Sequence, residues 1–417
     1  MGSPPTTATG SVLPEYKYTT PKHNWWMMGL ARLAAPLGLG LITHVDRVEL
    51  GRDDREILRG LREQRVILAP NHPSFEPAVM MHLSTLLLTE FNYLVAREWF
   101  DFPLQRFICR RIGAFTVRRG MRDAASGNAT VELLTSGRRW LVIFPEGENY
   151  YFNDLVLPFL PGAARFGYQA QQSLLDNGSG ESVHIVPLAV RYHFRGNVDH
   201  LIRRSLSRLE DRLSLDGAGS LLERVRRLTQ QVLEINERLY GLMPDEGAEL
   251  DGRIARLRES VLSDIERRLA IGELDPELPL RNRLRKLFVA VSRLRSSAGS
   301  EYESQLLERR AISLKEELQR VLEFVAIQGR YLDDDPSAER CLDLLCRFER
   351  EVLGQMRFYG PRTARLGVGR PLNLRESISD WQRSGEAQVE DSTRWVENEV
   401  RSRLEQLCRD YRTEVGQ

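Results

Sequence analysis

Cysteine is scarce in this chain: four in 417 residues, Cys109, Cys341, Cys346 and Cys408, with no CxxC pair and no metal-ligand spacing to any histidine. That pattern excludes a disulfide scaffold and a cysteine–histidine metal centre, and points to structural thiols in a reducing compartment. Net charge is lacking too. Fifty-nine basic residues face 58 acidic ones, for +1 overall, so the surface as a whole does not attract nucleic acid and no nucleic-acid partner is expected. No uninterrupted apolar run reaches the ~20 residues that span a bilayer. The nearest, from Trp25 to Ile42, is broken by Arg32, Pro36 and glycines at 29, 38 and 40. Residues 1–24 hold Pro, Thr and Tyr without the apolar core of a secretory signal, so the folded body is expected to face the cytoplasm.

What the chain does have is length and alternation. At 417 residues it can bury a large core, and two or three domains are expected. Residues 1–20, rich in Gly, Ser, Pro and Thr, read as disordered. In residues 21–48 the paired Trp25 and Trp26 suit the headgroup level of a bilayer. A peripheral or monotopic helix lying in one leaflet is expected there, with a core helix packed on a sheet as the alternative. From 66 to 190, apolar strand runs (66–69, 93–96, 115–117, 141–144, 184–190) alternate with helical patterns (77–88, 103–111, 122–136, 162–172). This order predicts an α/β fold with a largely parallel sheet flanked by helices.

Beyond Val198 the character changes. Leu, Val and Ile recur at helical spacing in 221–242, 254–269, 284–294 and 304–324, broken near Gly217, Pro244, Pro276 and Pro336, with no fixed repeat period. A large all-α insertion over 198–359 is expected, its charged faces solvated. The segment from Ala364 to Leu372 alternates like a strand and returns the chain to the sheet, giving an α/β unit of 49–197 plus 360–380. An amphipathic helix within 381–417 ends the chain.

Two of the strand ends carry chemistry. Asn71-His72-Pro73-Ser74-Phe75-Glu76-Pro77 follows the apolar run 66–69 and sets a histidine and a carboxylate on one short turn. An imidazole, with an unperturbed pKa near ~6.5, accepts a hydroxyl proton at neutral pH, and a carboxylate beside it fixes its tautomer. A surface hydrogen bond between the two is the bland alternative. Phe144-Pro145-Glu146-Gly147 follows the run 140–143 in the same way. Loops at the carboxyl ends of parallel strands converge on one crevice, so both segments are expected at a common site. Between Arg97 and Arg122, seven arginines (97, 106, 110, 111, 118, 119, 122) face two acids, Glu98 and Asp101. Such an excess suits a phosphate-bearing substrate, a CoA group or an anionic lipid surface.

Together these segments resemble the glycerolipid acyltransferase family, the enzymes that acylate lysophosphatidic acid and glycerol phosphate. The family's NHxSxxD block is matched by Asn71, His72 and Ser74. Its glycine–aromatic–arginine block is matched from Gly113 to Arg119, its FPEG block by Phe144 to Gly147, and its apolar strand with a proline by Ile185-Val186-Pro187-Leu188-Ala189. The resemblance implies an O-acyltransferase acting on 1-acylglycerol-3-phosphate, with acyl-CoA or acyl-carrier protein as co-substrate and no further cofactor or metal. It implies His72 as general base, Glu76 as its orienting acid, and Arg119, Arg118 and Arg97 as ligands of substrate phosphate. Glu146 and Gly147 would serve acceptor binding and loop structure, Asn71 and Ser74 would join them among the substrate-binding residues, and Ser74 would also bond the loop or cap the next helix. Asn153-Asp154 would extend that wall or cap a turn.

Two departures qualify what the resemblance implies. Only three residues separate His72 from Glu76, where the family has four before an aspartate; the longer glutamate compensates for the tighter turn. Gly147 is followed by Glu148 where the family's FPEGTRS runs on to an arginine, and the basic residue before the later Gly-Ala is replaced at Pro161-Gly162-Ala163. Another lysolipid or lipid alcohol as acceptor is therefore a second expectation. A decayed, non-catalytic lipid-binding or helical scaffold protein is a third.

Overall fold

The computed structural model describes residues 19–417 apart from 74–75, 97–99, 101, 118–123, 148–152, 246, 273, 276–277, 279, 295–299, 328–336, 356 and 416–417. Residues 1–18, most of the stretch expected to be disordered, lie outside the described residues. Helix α1 (Trp25–Gly38) continues into a π-helical turn (Leu39–Thr43) and strand β1 (Val45–Leu50). Then come α2 (Arg52–Gly60), β2 (Arg65–Pro70), α3 (Glu76–Leu87), β3 (Phe91–Ala96), α4 (Pro103–Arg111), β4 (Ala114–Val117), α5 (Ala124–Ser136), β5 (Trp140–Val142), α6 (Gly162–Asp176) and β6 (Val183–Phe194). The helical stretch holds α7 (Asp199–Leu213), α8 (Leu221–Leu239), α9 (Leu250–Leu269), α10 (Leu280–Leu294), α11 (Glu301–Ile327) and α12 (Ala338–Leu353). Strands β7 (Arg362–Val368) and β8 (Leu372–Asn373) and helices α13 (Ile378–Ser384) and α14 (Glu386–Val415) finish the chain.

The sheet runs β1-β7-β6-β2-β5-β3-β4, with β8 beside the start of β6. It is mostly parallel; β7 and β8 pair antiparallel with β6, and β1, parallel to β7, shares their direction. Its central strand β2 is a run of Val, Ile, Leu and Ala buried on both faces, which is what helices on either side of a parallel sheet demand. Alternate residues feed opposite layers. Val66 and Leu68 join Met28, Met80 and Leu83 on one side, while Ile67 and Ala69 join Tyr168, Ala170 and Val400 on the other.

One boundary changes. Residues 45–48, assigned to the interfacial segment, belong to β1 and pair with β7 from Val45↔Arg362 onward. The alternating Val-Asp-Arg-Val-Glu-Leu of an edge strand was hidden behind the more conspicuous apolar run before it. Helix α1 itself is two-faced: Met28 is buried in the core with Met80, while Trp25, Trp26, Leu30, Leu33 and Leu37 are exposed. Among the described residues no helix is long and apolar enough to cross a membrane.

The helices α7 to α12 have a core of their own, built on Leu206, Leu228, Leu257, Leu287, Leu318 and Leu345. They also repeat one device that the apolar pattern alone did not reveal. Glu210 near the end of α7 takes both ends of the Arg224 fork from the start of α8, at 2.9 and 2.6 Å. Glu237 near the end of α8 does the same for Arg253 of α9, at 3.1 and 2.6 Å, and Glu266 of α9 for Arg283 of α10, at 2.5 and 3.2 Å. The three arginines fall at 224, 253 and 283, so this device recurs every 29 to 30 residues from α8 to α10.

Candidate active site

Strands β2 and β5 are neighbours, with Ile67 opposite Leu141 and Leu68 opposite Val142, so the loops that leave their carboxyl ends lie side by side. The first begins with Asn71, whose side-chain amide donates to the carbonyl oxygen of Val190 at 3.0 Å and whose Oδ1 accepts from the Val190 amide at 2.7 Å. This prolongs the β2–β6 ladder by one side-chain rung after Pro70 has ended it. Asn71 is fully buried and spends both ends of its side-chain amide on Val190, so its visible work is to extend the strand pairing.

The next residue is His72, and Glu76 follows as the first residue of α3 rather than as part of the loop. Pro77 sits in the first turn, where its missing amide hydrogen costs nothing. Three intervening residues put the acid four positions after the histidine, and the His72 Nδ1 makes a hydrogen bond to the Glu76 Oε2. The carboxylate is wholly buried, while 17% of the histidine side chain remains exposed. The other oxygen, Glu76 Oε1, accepts from the Tyr192 hydroxyl at 2.7 Å. The His72 ring stacks on Phe144, with centroids 4.3 Å apart, and its Nε2 has no hydrogen-bond partner among the described residues. An imidazole fixed at Nδ1 by a buried carboxylate and open at Nε2 is equipped to take a proton from a hydroxyl.

The second loop locks onto the first. Glu146 Oε1 accepts from the backbone amide of His72 at 2.8 Å, and Oε2 from the amide of Leu157 at 3.1 Å. One carboxylate thus ties the base to the segment 153–160. Burial pushes the Glu146 carboxyl up to about 8, against the two amide bonds that favour its charged form; the nearby Glu76 adds to the rise and Arg401 opposes it. Gly147 adopts φ +75°, and a Cβ there would lie 2.4 Å from the Leu160 Cδ1. Helix α14 braces the same segment: Glu397 accepts from the Phe159 amide at 2.9 Å, and Arg401 bonds the carbonyl oxygen of Val156.

Of the residues expected at the site, the fold brings together His72, Glu76, Glu146 and Gly147. Glu146 spends both oxygens on backbone amides, so its visible work is loop structure rather than acceptor contact. Ser74, Arg97, Arg118, Arg119 and Glu148 lie outside the described residues. Asn153 caps no turn; its amide brackets the Tyr192 backbone at 2.7 Å on both sides, repeating the Asn71 device two residues along β6. Asp154 pairs with Arg340 of α12 at 3.0 Å. Sequence reasoning missed Tyr192, which lies three residues past the last matched block, Ile185 to Ala189, and carries no motif of its own.

Among curated proteins none matches the chain. A family model described as Acyltransferase, however, matches residues 52–191, the span that holds β2, β5, both site loops and most of β6. Residues 52–191, about a third of the chain, match the acyltransferase domain of the glycerolipid acyltransferase family, and the His72–Glu76 pair lies within them.

Proposed function

We propose that the chain moves a fatty acyl group from acyl-CoA or acyl-carrier protein to the hydroxyl of a lysophospholipid, foremost 1-acyl-sn-glycerol-3-phosphate, in membrane phospholipid synthesis. The observation that carries this reading is the His72–Glu76 bond with Nε2 left open. His72 Nε2 takes the acceptor's hydroxyl proton as its oxygen attacks the thioester carbonyl carbon. The carbon–sulfur bond then breaks, and the imidazolium returns the proton to the leaving thiolate. Backbone amides near the start of α3 are suited to the oxyanion. No acyl-enzyme, metal or cofactor enters this scheme. Arg119, Arg118 and Arg97 are its proposed phosphate ligands, and Ser74 a loop-bonding residue. The assembled pair, with both Glu76 oxygens bonded, supports catalysis over a decayed scaffold.

A second acceptor class is favoured by one observation. Glu148 directly after Gly147, with no basic residue before Gly162, opposes a dianionic phosphate and suits a less charged lysolipid or a lipid alcohol. Purified protein given a long-chain acyl-CoA and a panel of lysolipids is expected to release thiol only when an acceptor is present. Release that is indifferent to every acceptor defeats the acyltransfer proposal; release with neutral lysolipids alone selects the second class.

The proposed partner surface is a bilayer, met by a peripheral or monotopic contact with the acyltransferase domain on the cytoplasmic side. Trp25 is 84% exposed, Leu33 76% and Leu104 72%, and no residue of α4 is buried. The amides of Lys22 and Asn24 bond the carbonyl oxygens of Arg110 and Arg111 at 2.8 and 3.2 Å, which joins the apolar face of α1 to Phe107 and Ile108 of α4. The Arg111 guanidinium lies 4.8 Å over the Phe107 ring, a charge at the rim suited to anionic headgroups. Each large apolar side chain taken out of water contributes about 1.5–3 kcal/mol, so exchanging Trp25 and Phe107 for Glu is expected to cut flotation with anionic vesicles by roughly tenfold or more. Undiminished flotation would move the contact elsewhere. Deleting residues 1–48 is the poorer test, since it removes most of β1.

A further inference from the structure

We infer that Tyr192 is a positioning residue for the base, the third member of a His72–Glu76–Tyr192 relay that adapts the shortened motif to catalysis. The inference deepens the acyl-transfer reading and rests on it. Glu76 differs from the family's aspartate in having one more rotatable bond and one fewer residue between it and the histidine. A buried carboxylate with a spare torsion needs both oxygens held if it is to keep one imidazole tautomer in one orientation. His72 Nδ1 holds Oε2, and the Tyr192 hydroxyl holds Oε1 at 2.7 Å.

The tyrosine is itself fixed on three sides. Its backbone amide and carbonyl are bracketed by Asn153 at 2.7 Å each. The Arg362 guanidinium lies 4.8 Å over its ring, and strand β6 carries it in register with Ala364 of β7. Burial and the adjacent Glu76 hold the phenol well above its ordinary value, so it remains a donor. The ring therefore offers Glu76 a hydroxyl that cannot drift, on a strand 116 residues away from the helix it serves. Charged groups close by, among the described residues, include Glu146, which binds the His72 amide and feels both Glu76 and Arg401, and Arg362 beside Tyr192.

By hydrogen-bonding the charged carboxylate, Tyr192 weakens the hold of Glu76 on the Nδ1 proton. Removing the hydroxyl raises the proton affinity of the coupled pair, so the midpoint at which the base becomes available moves to higher pH. Tyr192→Phe keeps the ring and its stack with Arg362. It is expected to lower kcat about tenfold with KM for both substrates unchanged, and to move the acid limb of the pH–rate profile up by about 0.5–1 unit. In a His72→Ala background the same exchange is expected to have no further effect on rate.

A second readout needs no acceptor. The rate at which diethyl pyrocarbonate modifies His72, followed by mass spectrometry across pH, reports the neutral imidazole directly. Its midpoint is expected to rise in Tyr192→Phe by the same amount. A midpoint and acid limb that stay in place, or a rate loss equal with and without His72, overturn the relay and leave Tyr192 as packing. A shifted modification midpoint in a protein that acylates no lysolipid upholds the relay and refutes the acyl-transfer reading instead.

Discussion

Exchanging His72 for alanine is expected to lower acceptor-dependent thiol release by about 10²- to 10⁴-fold, the range a positioned general base supplies. The protein itself is expected to stay folded, because the side chain is partly exposed and stacks on the Phe144 ring, and the Glu76 carboxylate it leaves behind keeps the Tyr192 hydroxyl. Its backbone amide, which binds Glu146, survives the exchange. Circular dichroism and thermal unfolding close to those of the parent, with turnover gone, separate loss of chemistry from loss of structure. Glu76→Gln is expected to lose nearly as much, since an amide in place of the carboxylate cannot stabilise the imidazolium. Turnover in the His72 variant equal to the parent's would remove this turn from the reaction altogether.

A loss of 3–5 kcal/mol in stability is expected from Arg253→Ala, the largest structural effect we foresee. Glu237 is fully buried at the α8–α9 junction and takes two of its bonds from that one guanidinium. Without it, Arg256, 43% exposed and 3.3 Å away, is a poor substitute, and a buried charge is left uncompensated. The insertion has its own core, so a denaturant titration followed by far-ultraviolet circular dichroism is expected to show its transition moving first. Replacing both partners, Arg253→Leu with Glu237→Met, is expected to restore most of the loss, because well-packed apolar side chains need no partner. A single exchange that shifts no transition would mean the pair is idle. The pairs are also built from arginine for a reason. Only four of the chain's 59 basic residues are lysine, and a planar fork meets both oxygens of a carboxylate where an ammonium meets one.

The parts of the fold that could be read in advance were those written in short stretches. The apolar runs before His72 and Phe144 each end in a loop within a few residues, so strand, turn and site residue share one window. Glu76 was found for the same reason, although its place at the head of α3 was not. Tyr192 escaped because its partner is 116 positions away, and nothing near it in the chain marks it as polar machinery. Asn71 is the opposite case: a motif residue beside a base suggests substrate, but its amide extends the pairing of two interior strands. The recurrence of the glutamate–arginine device every 29 to 30 residues from α8 to α10 was missed because hydrophobic spacing repeats every helical turn. The longer repeat shows only when a glutamate at one helix end is joined to an arginine at the next helix start.

The antiparallel pairing of β6 with β7 brings the two ends of the insertion together, Phe194 opposite Arg362 and the Arg195 amide on the Pro361 carbonyl oxygen at 2.9 Å. It also sets a schedule. Strand β1 has β7 as its neighbour in the sheet, and side chains as far apart as Glu49 and Arg365, 316 residues in sequence, meet across that pair. During synthesis at ~5–20 residues per second, β1 therefore waits about 15–60 seconds for its partner. From the completion of β6 until β7 arrives, the outer edge of β6 is bare and the apolar face of α1 has already left the ribosome. The helices between the strands thus set that delay, and a nascent chain that has made the whole His72 turn still lacks β7 and the brace of helix α14.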